Sequence, residues 1–269
     1  MGISVLMSVY KKEKAEYLRK ALQSIFNQSL QCDEVILVKD GELSEELEAV
    51  ISEFSVEHRN LKTHALKTNV QLGRALAVGV DLCENEFIAR MDTDDIADPE
   101  RLQIQYTFLL EHPEIAVVGG NIAEFTREGE ILREKSMPSE HLELFKYGKL
   151  RNPLNHMTVM FRKSAVLECG NYCHFPLLED YHLWSRMLAK GYRIGNISKV
   201  LVNARIDQGF SSKRGGWNYF LQYKELRQLQ YRIGYTNKIE FVCGLLCSFV
   251  MTMQPIKMRN WVYKHVLRR

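Results

Sequence analysis

Residues 86 to 96 read Glu86-Phe-Ile-Ala-Arg-Met-Asp-Thr-Asp-Asp-Ile96, and this stretch decides the fold. Its first part, Glu86 to Met91, is short and β-prone, and it breaks off at Asp92-Thr93-Asp94-Asp95. In an open parallel sheet, ligands bind beyond the carboxyl ends of the strands, near the point where strand order reverses. Acid at a strand end therefore marks a site. Three carboxylates this close repel one another unless a cation neutralises them, and hard oxygen ligands suit Mg2+ or Mn2+. Such an ion takes one or two carboxylates and fills its other positions with substrate phosphates, which points to a diphosphate-linked substrate. The plain alternative is a solvated acidic turn that caps the next helix.

The same pattern recurs upstream. Ile3 to Val9 is a compact β-prone run, and from Ala15 the apolar positions Tyr17, Leu18, Ala21, Leu22, Ile25 and Phe26 recur at helical spacing until Asn27-Gln28-Ser29. A second strand, Glu34 to Lys39, ends in Asp40-Gly41 and precedes a charged helix from Leu43 to Phe54. Leu61 to Leu66 reads as a third strand, Leu72 to Cys83 as a third helix, and Glu86 to Met91 as a fourth strand. Strands alternating with helices make βαβ units and a mostly parallel sheet, so the fold class is α/β. Three of its strand ends, at Ser8, Asp40 and residues 92–95, offer polar or acidic groups to one site. No Gly-x-Gly-x-x-Gly follows the first strand and no Walker loop is present, which disfavours a dinucleotide fold or a P-loop.

Downstream, a helix is expected over Pro99 to Leu110 with Asp98 as its N-cap. Ile115 to Val118 reads as a strand stopped by Gly119-Gly120, residues 125–148 as irregular, Thr158 to Phe161 as a strand, and Leu177 to Gly191 as a helix opening with Glu179-Asp180. A carboxylate at a helix start amid apolar neighbours is held in place and partly desolvated, as a general base requires. Complementarity to the helix dipole explains the same acids without catalysis. His156 sits in Asn152-Pro-Leu-Asn-His-Met-Thr, where a site role and a satisfied core histidine are equally open. Leu183 and Trp184 read as core.

With 46% apolar and 26% charged residues the chain of 269 buries a substantial core. The net charge of +3 is uneven: residues 1 to 240 hold 31 basic and 33 acidic groups, while the remainder holds five basic groups and no acid. The body thus lacks the charge signature of a nucleic-acid binder, and the tail suits an anionic membrane surface. The six cysteines are scattered and the start lacks a basic-then-apolar leader, which points to reduced thiols in the cytoplasm. Cys169 and Cys173, beside His174, lack a second matching pair and read as small hydrophobes rather than metal ligands.

Six motifs occur in one order: Ser4-Val-Leu-Met-Ser-Val-Tyr10, Val38-Lys-Asp-Gly41, Asn69-x3-Gly73, Met91-Asp-Thr-Asp-Asp-Ile96, Asn152-Pro-x2-His156 and Glu179-Asp-Tyr-x-Leu-Trp184. Together they resemble family 2 glycosyltransferases and their GT-A fold over about residues 3 to 210. Asn203-Ala-Arg205 and Lys213-Arg-Gly-Gly216 resemble a bacterial branch that assembles O-antigen or exopolysaccharide repeat units on a lipid carrier. The resemblance implies a UDP-sugar donor bound by Ser8, Val9, Tyr10, Asp40, Asn69, Gly73, Arg74, Asp92, Thr93 and His156. It implies Mn2+ or Mg2+ held by Asp94, Asp95 and Asp92, and Asp180 as the base for an acceptor hydroxyl, with Glu179 orienting the acceptor. It further implies inversion to a β-linkage and a lipid-linked saccharide acceptor. The sequence departs from the family where many members carry a histidine after the counterpart of Arg205; here Ile206-Asp207-Gln208 stands, leaving Asp207 or water as the third ligand.

Residues 1–212 are expected to form the GT-A domain and residues 213–269 a helical, basic extension. Phe241 to Ile256 carries no charge, yet it falls short of the roughly 20 apolar residues a span needs. Lys257 to Arg269 sets Met258, Trp261, Val262 and Val266 on one helical face among basic residues, the pattern of an interfacial helix. Peripheral attachment to the inner face of the cytoplasmic membrane is expected, against a helix pair packed on the domain. Rival functions are a polyprenyl-phosphate glycosyltransferase, which needs no strong base, and a non-catalytic nucleotide-sugar-binding subunit.

Overall fold

The computed structural model describes residues 2–206, 215–255 and 258. In chain order its elements are β1 (Ile3–Val9), α1 (Ala15–Phe26), β2 (Glu34–Lys39), α2 (Glu45–Glu57), β3 (Leu61–Ala65), α3 (Leu72–Leu82), β4 (Phe87–Met91), β5 (Ile96–Ala97) and α4 (Arg101–Glu111). There follow β6 (Ile115–Arg127), β7 (Glu130–Lys135), α5 (His141–Tyr147), a 3-10 turn (His156–Thr158), β8 (Met160–Arg162), α6 (Lys163–Glu168), α7 (Glu179–Ala189), β9 (Arg193–Arg205), α8 (Trp217–Arg232) and α9 (Lys238–Met253).

Strand order in the sheet is β3-β2-β1-β4-β8-β6-β9-β5, with β7 pairing β6. The β3-β2-β1-β4 portion is parallel throughout. Its order reverses between β1 and β4, so the carboxyl ends of those strands flank a switch point. Alternation along each strand feeds two core layers. Val5, Met7, Val9, Val35 and Leu37 pack toward α1 and α2, while Leu6, Ile36 and Val38 pack toward α3. Burial on both faces is why these strands read as continuous apolar runs. Ser44 caps α2 through the Leu47 amide at 3.4 Å, and Glu45, Glu46 and Glu48 complement its dipole.

The second half of the sheet departs from the sequence expectation. β6 runs straight through Gly119-Gly120 to Arg127; a Cβ at either glycine would strike Asn196 or Leu201, so these residues mark a close approach and not a turn. Residues 125–148 hold the end of β6, all of β7, and α5. β9, a 13-residue strand parallel to β6, and α6 have no counterpart in the expected elements. The expected strand at Thr158 begins instead at Met160, after the 3-10 turn. Asp98 does not cap α4; Glu100 occupies that position, and the Asp98 carboxylate accepts the Glu100 amide at 3.0 Å in the preceding turn.

α8 and α9 pack against each other and on the body. Arg227 of α8 is buried and donates to the carbonyls of Lys149 and Leu150 at 2.7 Å, to the Tyr181 hydroxyl at 3.0 Å and to Ser248 of α9 at 3.3 Å. A capping box of Asn237 and Glu240 starts α9. No helix among the described residues is long and apolar enough to cross a membrane. Asp207, Lys213, Arg214 and, apart from Met258, the stretch from Ile256 to Arg269 lie outside the described residues.

Candidate active site

β1, β2 and β4 are adjacent in the sheet, so their carboxyl ends open on one face of the molecule's edge. At the end of β1, Ser8 is half-buried, Val9 is buried and Tyr10 is exposed. At the end of β2, Asp40 is buried, and its Oδ1 accepts the Val70 amide at 2.7 Å while its carbonyl accepts the Asn69 side-chain amide at 3.2 Å. That ties the strand end to the loop entering α3. Gly41 takes a positive φ of 88°, and a Cβ there would meet the backbone of Asn69. Gly73, in the first turn of α3, packs beneath residue 173: a Cβ would collide with the Cys173 carbonyl. Arg74, beside it, is exposed.

β4 ends in Arg90-Met91-Asp92. Arg90 is fully buried, and its guanidinium holds the Asp92 carboxylate through both nitrogens. Burial works against that charge, and Asp92 more than offsets it, holding Arg90 above its ordinary pKa. Asp95 is buried and its Oδ1 accepts the Arg205 amide at 2.7 Å. This contact exists because β5 follows the acidic turn directly and pairs with β9, Ile96 opposite Asn203. The Arg205 guanidinium donates to the Asp94 carbonyl at 3.0 Å and stacks between the rings of Tyr17 and Phe125. Thr93 is buried and its hydroxyl donates to Glu13 at 3.1 Å, joining the turn to the loop after β1.

One carboxylate oxygen from each of Asp92, Asp94 and Asp95 lies within 4.8 Å of the others. Burial, then the charges of Asp92 and Glu13, pushes the Asp94 carboxyl up to about 7. Burial, then Asp94 and Asp92, raises Asp95 as well. A hard divalent cation fits this donor set, since it would relieve the repulsion that these raised values register. The three acids differ in what they have to spare. Asp92 is engaged by Arg90 and Asp95 by the Arg205 amide, whereas no cation among the described residues hydrogen-bonds the Asp94 carboxylate. Asp207, the candidate for a third ligand, lies outside the described residues.

Across the site stands the first turn of α7. Asp180 accepts the Asn152 side-chain amide on one oxygen and the Tyr181 amide, at 2.7 Å, on the other. Glu179 is buried, and desolvation, then the Asp180 charge, pushes it up to about 7; the charges of Arg90 and Asp92 reach it too. Two cavities flank this turn. A small one of about 180 Å3 is lined by Glu179, Gln71, Gly73 and His174. A large one of about 550 Å3 is lined by Asp180, His156, Asn152 and Arg205 on one side and by residues of α8 and α9 on the other. His156 is half-buried, its Nε2 is 3.0 Å from the Tyr172 hydroxyl, and burial, then Arg90, lowers its pKa well below the usual value, so it stands neutral. Leu183 and Trp184 are fully buried, as expected. Cys169 is buried and Cys173 is half-buried with its sulfur 3.1 Å from His182 Nδ1.

Sequence reasoning missed Arg90, Glu13, Asn152 and Arg205 as parts of the site. Asn152 and Arg205 stood in motifs that carry the resemblance, and the arginine two residues before the acid string carried a local signal, since an arginine in a buried strand needs a carboxylate nearby.

A family model described as "Glycosyl transferase family 2" matches residues 4–169. The amylovoran biosynthesis glycosyltransferase AmsE of Erwinia amylovora is 37% identical over 97% of this chain and 97% of its own. An Escherichia coli UDP-Gal:alpha-D-GlcNAc-diphosphoundecaprenol beta-1,3-galactosyltransferase is 33% identical over 99% of this chain and 96% of its own. Among solved structures, S. aureus TarS in complex with UDP-GlcNAc superposes with a TM-score of 0.71 at 18% identity, covering 99% of this chain and 77% of that one, and it shares the GT-A fold.

Proposed function

The chain belongs to glycosyl transferase family 2, and from that premise we propose that it moves a hexose from a UDP-sugar to a hydroxyl of a lipid-linked saccharide in O-antigen or exopolysaccharide synthesis, with inversion to a β-linkage. The observation that carries this reading is the pairing of an acidic turn at the sheet's switch point with a carboxylate, Asp180, fixed at the wall of a cavity large enough for a saccharide.

In this reading Ser8, Val9, Tyr10, Asp40 and Asn69 receive the nucleoside, and Arg74, Asp92, Thr93 and His156 border the diphosphate and sugar, with Gly73 keeping α3 close to the loop over Glu179. Asp94, with Asp95 and Asp92, would hold Mn2+ or Mg2+; bound there, such an ion supplies Lewis-acid neutralisation of a donor diphosphate. Asp180 takes the proton from the acceptor hydroxyl as that oxygen bonds to the anomeric carbon, and the bond from that carbon to the departing diphosphate breaks on the opposite face. Attack opposite the leaving group inverts the centre. The Asn152 amide holds the receiving carboxylate, and Glu179, protonated or charged near neutrality, orients the acceptor. Residues 1–212 carry this chemistry, and residues 213–269 form the extension.

The names of two full-length relatives, amylovoran biosynthesis and a diphosphoundecaprenol-linked acceptor, support the substrate class. Attachment to the inner face of the cytoplasmic membrane is supported by α9, whose Ile239, Val242, Leu246, Val250 and Met253 are exposed along one side, and by the five basic residues that follow it.

The test is Asp180→Asn. UDP-sugar binding stays at the wild-type level while transfer falls by about 10²-fold or more, the scale of a lost general base. Near-normal transfer would remove Asp180 from the mechanism and favour a phosphate nucleophile, which needs no base.

A further inference from the structure

The large cavity has a polarity of its own. Four of its lining residues are cations, and three of them are already engaged: Lys135 by Asn155 at 2.6 Å, Arg205 by the acidic turn, and Arg227 by the carbonyls of Lys149 and Leu150. The fourth is Arg151. Its guanidinium lies over the ring of Tyr147, 5.7 Å from the centroid, and no acceptor among the described residues hydrogen-bonds it. Its backbone is nonetheless fixed. Arg227 grips the carbonyls of the two preceding residues, and the next residue, Asn152, holds the proposed base Asp180.

Arg151 and Asp180, the carboxylate that Asn152 holds, both line this cavity, so it carries a cation and a carboxylate together. The lining is aromatic at Tyr147, beneath Arg151, and on α8 at Tyr219 and Tyr223, which stand edge to face at 5.1 Å. Beyond them it becomes apolar and opens outward at Leu150 and Cys247, both exposed, next to the bare side of α9. A guanidinium that no acceptor among the described residues hydrogen-bonds, set on an aromatic face and carried on a fixed backbone, is suited to receive a phosphate.

Resting on the reading that this chain glycosylates a lipid-linked acceptor, we propose that Arg151 binds the diphosphate of that acceptor. The saccharide then lies across the tyrosines with a hydroxyl toward Asp180, and the isoprenoid leaves past Leu150 and Cys247. α9 accordingly serves two ends at once: Ser248, Met251 and Thr252 wall the cavity while the opposite side stays apolar and exposed.

Farnesyl diphosphate is a probe that carries the diphosphate and isoprenoid without committing to a sugar. Its binding to the full chain is measured in EDTA, so that the acidic turn contributes no metal, alongside farnesol and inorganic pyrophosphate. UDP binding with Mn2+ is measured separately. The wild type should bind farnesyl diphosphate at least tenfold more tightly than either fragment; R151Q should lose at least tenfold of that affinity, R151K should recover part of it, and UDP binding should be equal in all three. Equal farnesyl diphosphate binding by wild type and R151Q, or farnesol binding as tight as the diphosphate, overturns the proposal. Loss of UDP binding in the wild type sinks the transferase reading instead and leaves the farnesyl diphosphate comparison readable.

Discussion

Arg90 and Asp92 illustrate how one side chain changes the job of another. A guanidinium buried at the end of β4 costs several kcal/mol unless a carboxylate accompanies it, and Asp92 supplies both oxygens. Asp92 is therefore a fixed acceptor, Asp95 a strut for the end of β9, and Asp94 the acid with most to offer an ion. Glu179 is the other residue whose environment makes a measurable claim. Its carboxyl rises from the ordinary 4.5 to about 7, because burial and then Asp180 oppose its charge. The native state then holds a proton that the unfolded chain has released between those values, so the cost is absent below pH 4.5 and complete above pH 7. A displacement of that size corresponds to about 3 kcal/mol. Glu179→Gln should therefore raise the melting temperature by at least about 3 °C at pH 8 and by about 1 °C or less at pH 5; an equal change at both values would contradict the buried charge. Ser8, Asp40, Asp94 and Asp180 were legible in the sequence because each ends a strand or opens a helix. Glu13 was not, since what singles it out is a partner 80 positions away, and Asn152, though part of a quoted motif, shows its hold on Asp180 only through a contact spanning 28 positions.

At the scale of elements, β1 to β4 were readable because parallel strands buried on both faces give unbroken apolar runs, each followed by an amphipathic helix. β7, Glu130-Ile-Leu-Arg-Glu-Lys135, is exposed along nearly its whole length and carries no such pattern. β9 alternates weakly, and β6 hides behind two glycines that accommodate Asn196 and Leu201. α9 has one side on Arg227 and the cavity and the other bare. Deleting residues 241–269 would strip Ser248 and Thr252 from the body as well, so substitution is the cleaner test of attachment. Replacing Ile239, Leu246 and Val250 by Glu should release the chain from anionic vesicles while changing stability by about 0.5 kcal/mol or less per site, the usual range for surface positions. Retained binding to those vesicles would rule out that side as the contact.

For the molecule as a whole, the reversal of strand order between β1 and β4 gathers the ends of β1 and β2, the acidic turn and, across from them, the first turn of α7. The fold thereby sets two chambers on either side of Glu179-Asp180, the larger walled on one side by α8 and α9. The proposed function depends on the acidic turn at the end of β4 seating a cation against a nucleotide diphosphate. Titration calorimetry of UDP into the wild type and Asp94→Asn, with Mn2+ and with EDTA, tests it most directly. A ligand set completed by the metal predicts binding at least about tenfold tighter with Mn2+ in the wild type and no metal-dependent gain in Asp94→Asn. Equal UDP affinity with metal and with chelator, or an undiminished Mn2+ effect in Asp94→Asn, would contradict it.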